Sequence, residues 1–287
     1  MILSRHWQDR KPILRSLAHR TTSMQKLSQK EFLLFSLVSV VVVFLLAGFF
    51  HEDDYPLIEN QFYYTDIFFV TVPIIAVAFS IILVTRHGLT GNNSKAWILY
   101  CAATIMWFAA DQAYYHFGEY AVENNNSYLV DFFYFTSYFL YFGFMIFYLI
   151  PRKNKITKKN IVLSVAISTS FIMPAFYFVT QSTPSDNFET TINFVYPFLD
   201  ALVFVPAFIS VILFFRGQVN FLWVTVTLSL ICMVAADTIF LIERYYGMFS
   251  ASSAANLFFA WRWIFLIFGS YSHIKIFGAT KNSLTRQ

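Results

Sequence analysis

The sequence predicts an all-α integral membrane protein of eight transmembrane helices, built as two parallel four-helix repeats with both termini cytoplasmic. Three observations lead there. Composition is the first: 57% of the residues are hydrophobic and only 13% are charged. Mean hydropathy is +0.57, whereas a soluble domain is about a quarter charged. The second is a series of apolar runs of about 20 residues, the length that crosses a bilayer as a helix. The third is a stretch that occurs twice. Trp97 precedes Ala109-Ala110-Asp111 at the same spacing as Trp223 precedes Ala235-Ala236-Asp237. Aligned without a gap, 97–120 and 223–246 share six identities in twenty-four positions, with Ile105/Ile231 and Tyr120/Tyr246 completing the set.

Residues 1–30 form a basic tail carrying Arg5, Arg10, Lys11, Arg15, Arg20, Lys26 and Lys30. The apolar run begins only after it, and no small-residue cleavage site follows, so an uncleaved cytoplasmic tail is expected rather than a secretory signal. Such a tail suits either an anionic-lipid anchor or a flexible inside segment. Met24 offers a second possible start.

The expected spans are 31–50, 65–85, 96–117, 128–150, 160–180, 193–215, 220–243 and 254–277. They divide into a first repeat (31–150), a basic cytoplasmic linker (151–159), a second repeat (160–277) and a short tail (278–287). Orientation follows from the Lys/Arg bias. Eighteen of the twenty basic residues fall on the N-terminal side of this alternation. Arg244 lies opposite, and Arg262 lies inside the last span. The opposite loops are acidic: Glu52, Asp53, Asp54, Glu59, Glu119, Glu123, Asp186 and Glu189. An Asn125-Asn126-Ser127 sequon falls on that outer side as well.

The repeat extends to the second and sixth spans. Asp66, Pro73, Arg86 and Gly88 match Asp200, Pro206, Arg216 and Gly217 in order. Glycine closes a helix by taking a left-handed conformation, and proline is tolerated where neighbouring helices re-satisfy the freed carbonyl. Four spans per half is an even number. The halves therefore insert the same way up, about an axis along the membrane normal.

Helical rise places the acids. Asp111 lies about 21 Å beyond Trp97, in a hydrocarbon core about 30 Å thick. With Trp97 at the inner interface, where tryptophan is enriched, Asp111 and Asp237 fall in the outer third. Asp200 follows by the same count from Arg216, and Asp66 and Asp131 lie at the outer boundary. Arg262 enters this layer about 9 Å below Asn256. A charge in hydrocarbon costs several kcal/mol unless it faces the bundle interior and is paired. Arg262 is therefore expected to pair with one or two of Asp111, Asp200 and Asp237. Five carboxylates against one guanidinium leave an excess that must be wet, protonated or paired with something outside the chain.

The fourth span places Asp131, Tyr134, Tyr138, Tyr141, Met145 and Tyr148 on one face by alternating three- and four-residue steps. That stripe could line a cavity or form a hydrogen-bonded seam, although the span is aromatic all round. His116 and Asp111 make a poor metal pair, because residues five apart on a helix point about 140° from each other. A metal is neither required nor excluded by this pattern. Cys101 and Cys232 both lie in apolar runs and read as small buried side chains. No cofactor motif is present, no nucleic-acid partner is implied, and the bilayer is the one partner the composition requires.

Tyr196-Pro197 followed by Asp200, Ala235-Ala236-Asp237, and Asp131 followed by an aromatic span resemble a diffuse group. These are the eight-helix membrane modules found before cyclic-dinucleotide or histidine-kinase domains in bacterial and archaeal signalling proteins. The resemblance spans most of 31–277 and implies a sensory input module. This chain carries no such output domain, so signalling through a separate cytoplasmic or membrane partner is expected. A retinal protein would need a lysine within the last span, which instead offers Arg262 and, at its edge, Lys275. Zinc-dependent membrane hydrolases need several intramembrane histidines. The lysoplasmalogenase-like family, with about eight spans and paired aspartates, keeps an intramembrane hydrolase open by analogy.

The expected function is a plasma-membrane sensor or receptor-like module with an outward-facing acidic cavity for a cation or small polar ligand. Its candidate residues are Asp66, Asp111, Asp131, Tyr134, Tyr138, Asp200, Asp237 and Arg262, and no catalytic residue is assigned. A proton- or cation-coupled transporter is the alternative, ahead of a hydrolase using two aspartates as acid and base.

Overall fold

The structure is a computed structural model. It describes residues 30–31, 34–39, 41–42, 45, 64–123, 127–181, 187–215, 219–246 and 253–284. The chain divides into two compact units, Met1–Leu45 and Leu46–Gln287. In the first unit every described residue is helical, and all but Lys30 lie within the expected first span. The basic residues before Lys30, the acids at 52–59, Asn125, Asn126, Asp186, Arg216 and Gly217 lie outside the described residues.

The second unit contains α1 (Tyr64–His87), α2 (Asn92–Glu123), α3 (Ser127–Leu149), a 3₁₀ segment (Ile150–Lys155), α4 (Lys158–Gln181), α5 (Asn187–Phe214), α6 (Asn220–Tyr245) and α7 (Ala254–Leu284). No strand occurs among the described residues. These helices overlie the second to eighth expected spans. α1 ends where expected, with Arg86 and His87 in its last turn and Gly88 at φ +75°. The Gly88 amide donates to the Val84 carbonyl at 3.0 Å, closing the terminus. Pro73, Pro174, Pro197 and Pro206 all lie inside helices.

Five stretches are long and apolar enough to cross a membrane: 68–87, 129–155, 158–180, 194–214 and 220–243. This is consistent with a multi-pass membrane protein. α2 and α7 fall short of that threshold although they are 32 and 31 residues long. The cause is local: α2 carries Asp111 and Gln112, while α7 carries Arg262, His273 and Lys275.

Packing explains how such helices are accommodated. α1 packs on α2, α2 on α3, α3 on α5, α5 on α6, α6 on α7, and α7 returns to α1, a closed ring of six helices. α4 packs outside the ring, against α5 and α6. Its face bears Val162, Met173 and Tyr177, each more than half exposed, and α3 turns Phe132 and Phe139 outward in the same way. Large exposed apolar side chains in such number suit a lipid-facing wall.

The interior of the ring is aromatic. Trp97, Trp107, Trp223, Trp263, Tyr100, Tyr138, Tyr141 and Phe144 are all under 2% exposed. The Phe144 ring lies 5.5 Å from Trp97 and stacks on Trp223 at 5.6 Å. Trp97, expected at the depth of the inner interface, is buried in the bundle. The α3 stripe likewise turns inward, where Tyr141 and Met145 are fully buried and Tyr148 nearly so. Its lower part is close-packed, with Tyr141 5.1 Å from Trp107 and Tyr148 4.9 Å from Trp223.

Two glycines permit the closest helix approaches. A Cβ on Gly143 would meet Leu99 Cδ1 at 3.2 Å, whereas one on Gly269 would meet Thr225 Oγ1 at 2.5 Å. The Thr225 hydroxyl is itself held on the Phe221 and Leu222 carbonyls and cannot swing aside freely. Gly269→Ala is expected to destabilise the protein by about 1–3 kcal/mol, the usual cost of overpacking. Gly143→Ala should cost less, because a leucine methyl can yield. Thermal unfolding of the two variants in detergent checks the order.

Candidate functional site

Four of the five expected acids converge with Arg262 inside the ring. Asp111 comes from α2, Asp131 from α3, Asp200 from α5 and Asp237 from α6, with Arg262 on α7. Asp66 lies in the first turn of α1, and its side chain is outside the described residues, as are those of His116 and Glu119.

Asp111 is the most heavily bonded. Arg262 Nη2 donates to its Oδ2 at 2.6 Å, and Trp263 Nε1 donates to the same oxygen at 2.8 Å. The Tyr134 hydroxyl donates to Oδ1 at 2.9 Å. One carboxylate thus receives donors from α3 and α7 while sitting on α2. Arg262 is 2% exposed. Its guanidinium lies 4.8 Å from the Trp263 ring centroid and 5.2 Å from that of Trp107, with Phe259 a little further away. The aromatic faces favour the cation electrostatically, and the carboxylate neutralises it.

A second set lies beside this pair. The Tyr138 hydroxyl donates to Asp200 Oδ1 at 2.8 Å, and Asp200 is only 2% exposed. The Tyr196 hydroxyl donates to Asp131 Oδ1 at 2.6 Å. Asp237 lies within electrostatic range of Asp200, Asp111 and Arg262. Among the described residues Asp237 makes no hydrogen bond and Arg262 bridges to Asp111 alone. The buried Asp200 and the half-buried Asp237 therefore lie side by side, and neither forms an ion pair with a guanidinium among the described residues.

The tyrosine stripe divides by height. Tyr134 and Tyr138 serve the acids, while Tyr141 and Tyr148 belong to the packed aromatic interior below. Three functional neighbours were not singled out from sequence: Trp263, the second donor to Asp111; Trp107, the platform under Arg262; and Tyr196 as the partner of Asp131. Trp263 follows Arg262 directly, so an indole beside a buried charge was the available signal. Trp107 and Tyr196 depend on which helices become neighbours.

Chemically, the first set is a closed ion pair in which the buried Arg262 Nε has no hydrogen-bond partner among the described residues, and the second is a place for positive charge. No group of three His, Cys, Asp or Glu among the described residues converges as a metal site. The geometry suits a proton or a small cation held by two carboxylates and flanking phenol and indole rings better than a chelated metal. Cys101 accepts a long hydrogen bond from Ser80 Oγ at 3.3 Å, and both cysteines are free thiols.

Fold and site together define a helical protein consistent with multiple membrane passes, with an acidic–aromatic network inside a ring of helices. Comparison with protein-family models, characterised proteins and solved structures finds no match.

Removing one member of a buried ion pair leaves the other charge uncompensated, at a cost of about 3–5 kcal/mol. Asp111→Asn is expected to destabilise the protein to that degree. The double variant Asp111→Asn/Arg262→Met should recover much of the loss. Denaturant or thermal unfolding of the single and double variants checks the cycle, and a double variant no better than the single would remove the pair from this role.

Proposed function

We propose that the protein is a plasma-membrane sensor or receptor-like module whose acidic layer binds a proton, a small cation or a small cationic polar ligand. One observation carries this reading. The buried guanidinium of the site bonds to Asp111, while the buried Asp200 and the half-buried Asp237 lie within electrostatic range of each other and neither forms an ion pair among the described residues. Buried carboxylates are stable when neutralised by a proton or a counter-cation. Tyr138, Tyr196 and Trp107 add hydroxyls and π faces that suit an ammonium.

The wider architecture is part of the same proposal. Eight spans require α2 and α7 to cross as well; at about 1.5 Å per residue each is longer than the hydrocarbon core, and the Arg262 and His273 side chains are buried. The parallel repeat has several supports. It maps α1–α2–α3 onto α5–α6–α7, and the junction α3–α5 onto α7–α1, all of which are packed pairs. The spacing of 126 residues that separates Trp97 from Trp223 also separates Gly143 from Gly269, and Leu99 from Thr225. Those glycines meet those partners. Cytoplasmic termini rest on the Lys/Arg bias. The resemblance to eight-helix sensory modules points the same way. A signalling partner would meet the basic segment 151–159 or the N-terminal tail.

A cation-coupled transporter is the second reading, favoured by the repeat. The close-packed Trp97, Phe144, Tyr148 and Trp223 beneath the acids weigh against a path through the ring. A hydrolase would need a substrate carbonyl between two aspartates, and nothing in the site favours that over cation binding.

Melting of the purified protein against a panel of small amines and monovalent cations, from mildly acidic to neutral pH, tests the proposal. A ligand at a hundredfold excess over its Kd stabilises the folded state by about 2.7 kcal/mol. A rise is expected for at least one ligand or on acidification, and it should disappear in Asp200→Asn while Asp111→Asn/Arg262→Met retains it. A melting point indifferent to all cations and to pH in the parent protein would count against binding. Uptake of the stabilising cation into vesicles would favour the transporter instead.

A further inference from the structure

A second polar site lies away from the acidic layer, at the ends of two of the apolar stretches. The α1 stretch ends at His87 and the α3 stretch ends at Lys155. Between them is a cleft of about 750 Å³ lined by Thr90, Gly91, Asn93, Ser94, Arg152 and Lys155, with His87 and Pro151 at its margins.

Its two walls have different origins. One wall is the turn between α1 and α2. Gly88 and Gly91 both take positive φ there, +75° and +99°, a backbone that side-chain-bearing residues rarely adopt. The buried Ser94 hydroxyl braces the turn, 2.9 Å from the His87 carbonyl oxygen and 2.6 Å from that of Thr90. The other wall is the 3₁₀ segment, in which Pro151 presets the first turn and no residue is buried. Its Arg152 guanidinium stacks 4.5 Å over the Phe214 ring centroid, which holds the charge in place rather than leaving it to wave in solvent. Lys155 supplies a second cation on the same rim. The cleft thus combines two cations, a hydroxyl and an amide at headgroup depth, and no acid lines it.

We propose that this cleft binds the phosphate of an anionic phospholipid headgroup. The cations and hydrogen-bond donors match the charge and oxygens of a phosphate. Position selects the lipid source. The cleft opens where two apolar stretches end, beside Leu89, which is 74% exposed, and Ile150, which is 39% exposed. Apolar side chains next to a cationic cleft suit a molecule with a phosphate above an acyl chain. This inference does not rest on the acidic-layer reading.

The test uses the full chain in neutral detergent, titrated with phosphatidylglycerol, with phosphatidylcholine, or with inorganic phosphate. Phosphatidylglycerol is expected to raise the melting point more than phosphatidylcholine does. Lys155→Glu and Thr90→Glu should each weaken its half-maximal concentration by about fivefold or more, since each interfacial cation contributes on that order. Both positions lie on the cleft rim, so their melting points without lipid should stay near that of the parent. Arg152→Gln should weaken the titration as well, and if loss of the Phe214 contact lowers its basal stability the two Glu variants decide. Unchanged titrations in both Glu variants, or equal protection by phosphatidylcholine, would overturn the proposal. Full protection by inorganic phosphate alone would assign the cleft to a soluble phosphate and overturn the lipid source.

Discussion

The ion pair between Arg262 and Asp111 constrains everything around it. A guanidinium that is 2% exposed cannot be left alone in a low-dielectric interior, where an unpaired charge costs several kcal/mol. Pairing it fixes the rotation of α7 about its axis and the height of α7 against α2. Tyr134 and Trp263 then bind the same carboxylate, which brings α3 into register. The two helices that carry the pair are also the two long helices too polar to qualify as apolar spans. They are tolerable in a membrane only with their polar faces turned into the ring, so one interaction accounts for both the hydropathy profile and the topology of contacts.

Below that pair the ring is held by shape. Lipid tails are as apolar as leucine, so helices in a bilayer gain little by hiding apolar surface and associate through close packing instead. Small residues at contacts make that possible. Ala96, Ala103, Ala110, Ala207, Ala236 and Ala260 are all at or near zero exposure, and Gly143 and Gly269 leave room for Leu99 and Thr225. Large rings fill the remaining space, with Phe144 between the two repeat tryptophans. The result is a close-packed aromatic layer beneath the acids.

Electrostatically the site is unequal. Its α2–α7 side is neutralised within the chain, and its α5–α6 side carries Asp200, bonded to the Tyr138 hydroxyl, beside Asp237. A fully compensated network would be architecture. The uncompensated half is where an exchangeable positive charge changes the energy most, and a ligand there would act on helices whose positions the ion pair already sets. The basic cleft by the 3₁₀ segment places an opposite charge preference at the ends of α1 and α3, away from the acids inside the ring.

The sequence by itself determined the helical class, because apolar runs of membrane length admit little else when every backbone group must be satisfied within the segment. Helix positions were legible, as was the end marked by Gly88, although α2, α5 and α7 run about six or seven residues past one expected bound. The acids were legible as a layer, because rise along a helix converts spacing into height. Which acid takes Arg262 was not, since Asp111, Asp200 and Asp237 lie at similar heights and only the azimuth of each helix separates them. The same limit hid Trp107 and Tyr196, and it hid the burial of Trp97, whose indole lies in the ring interior. Height is local, carried by each helix alone. Azimuth is decided by neighbours, through the close approach of small residues and the pairing of one buried charge, and so it belongs to the tertiary structure.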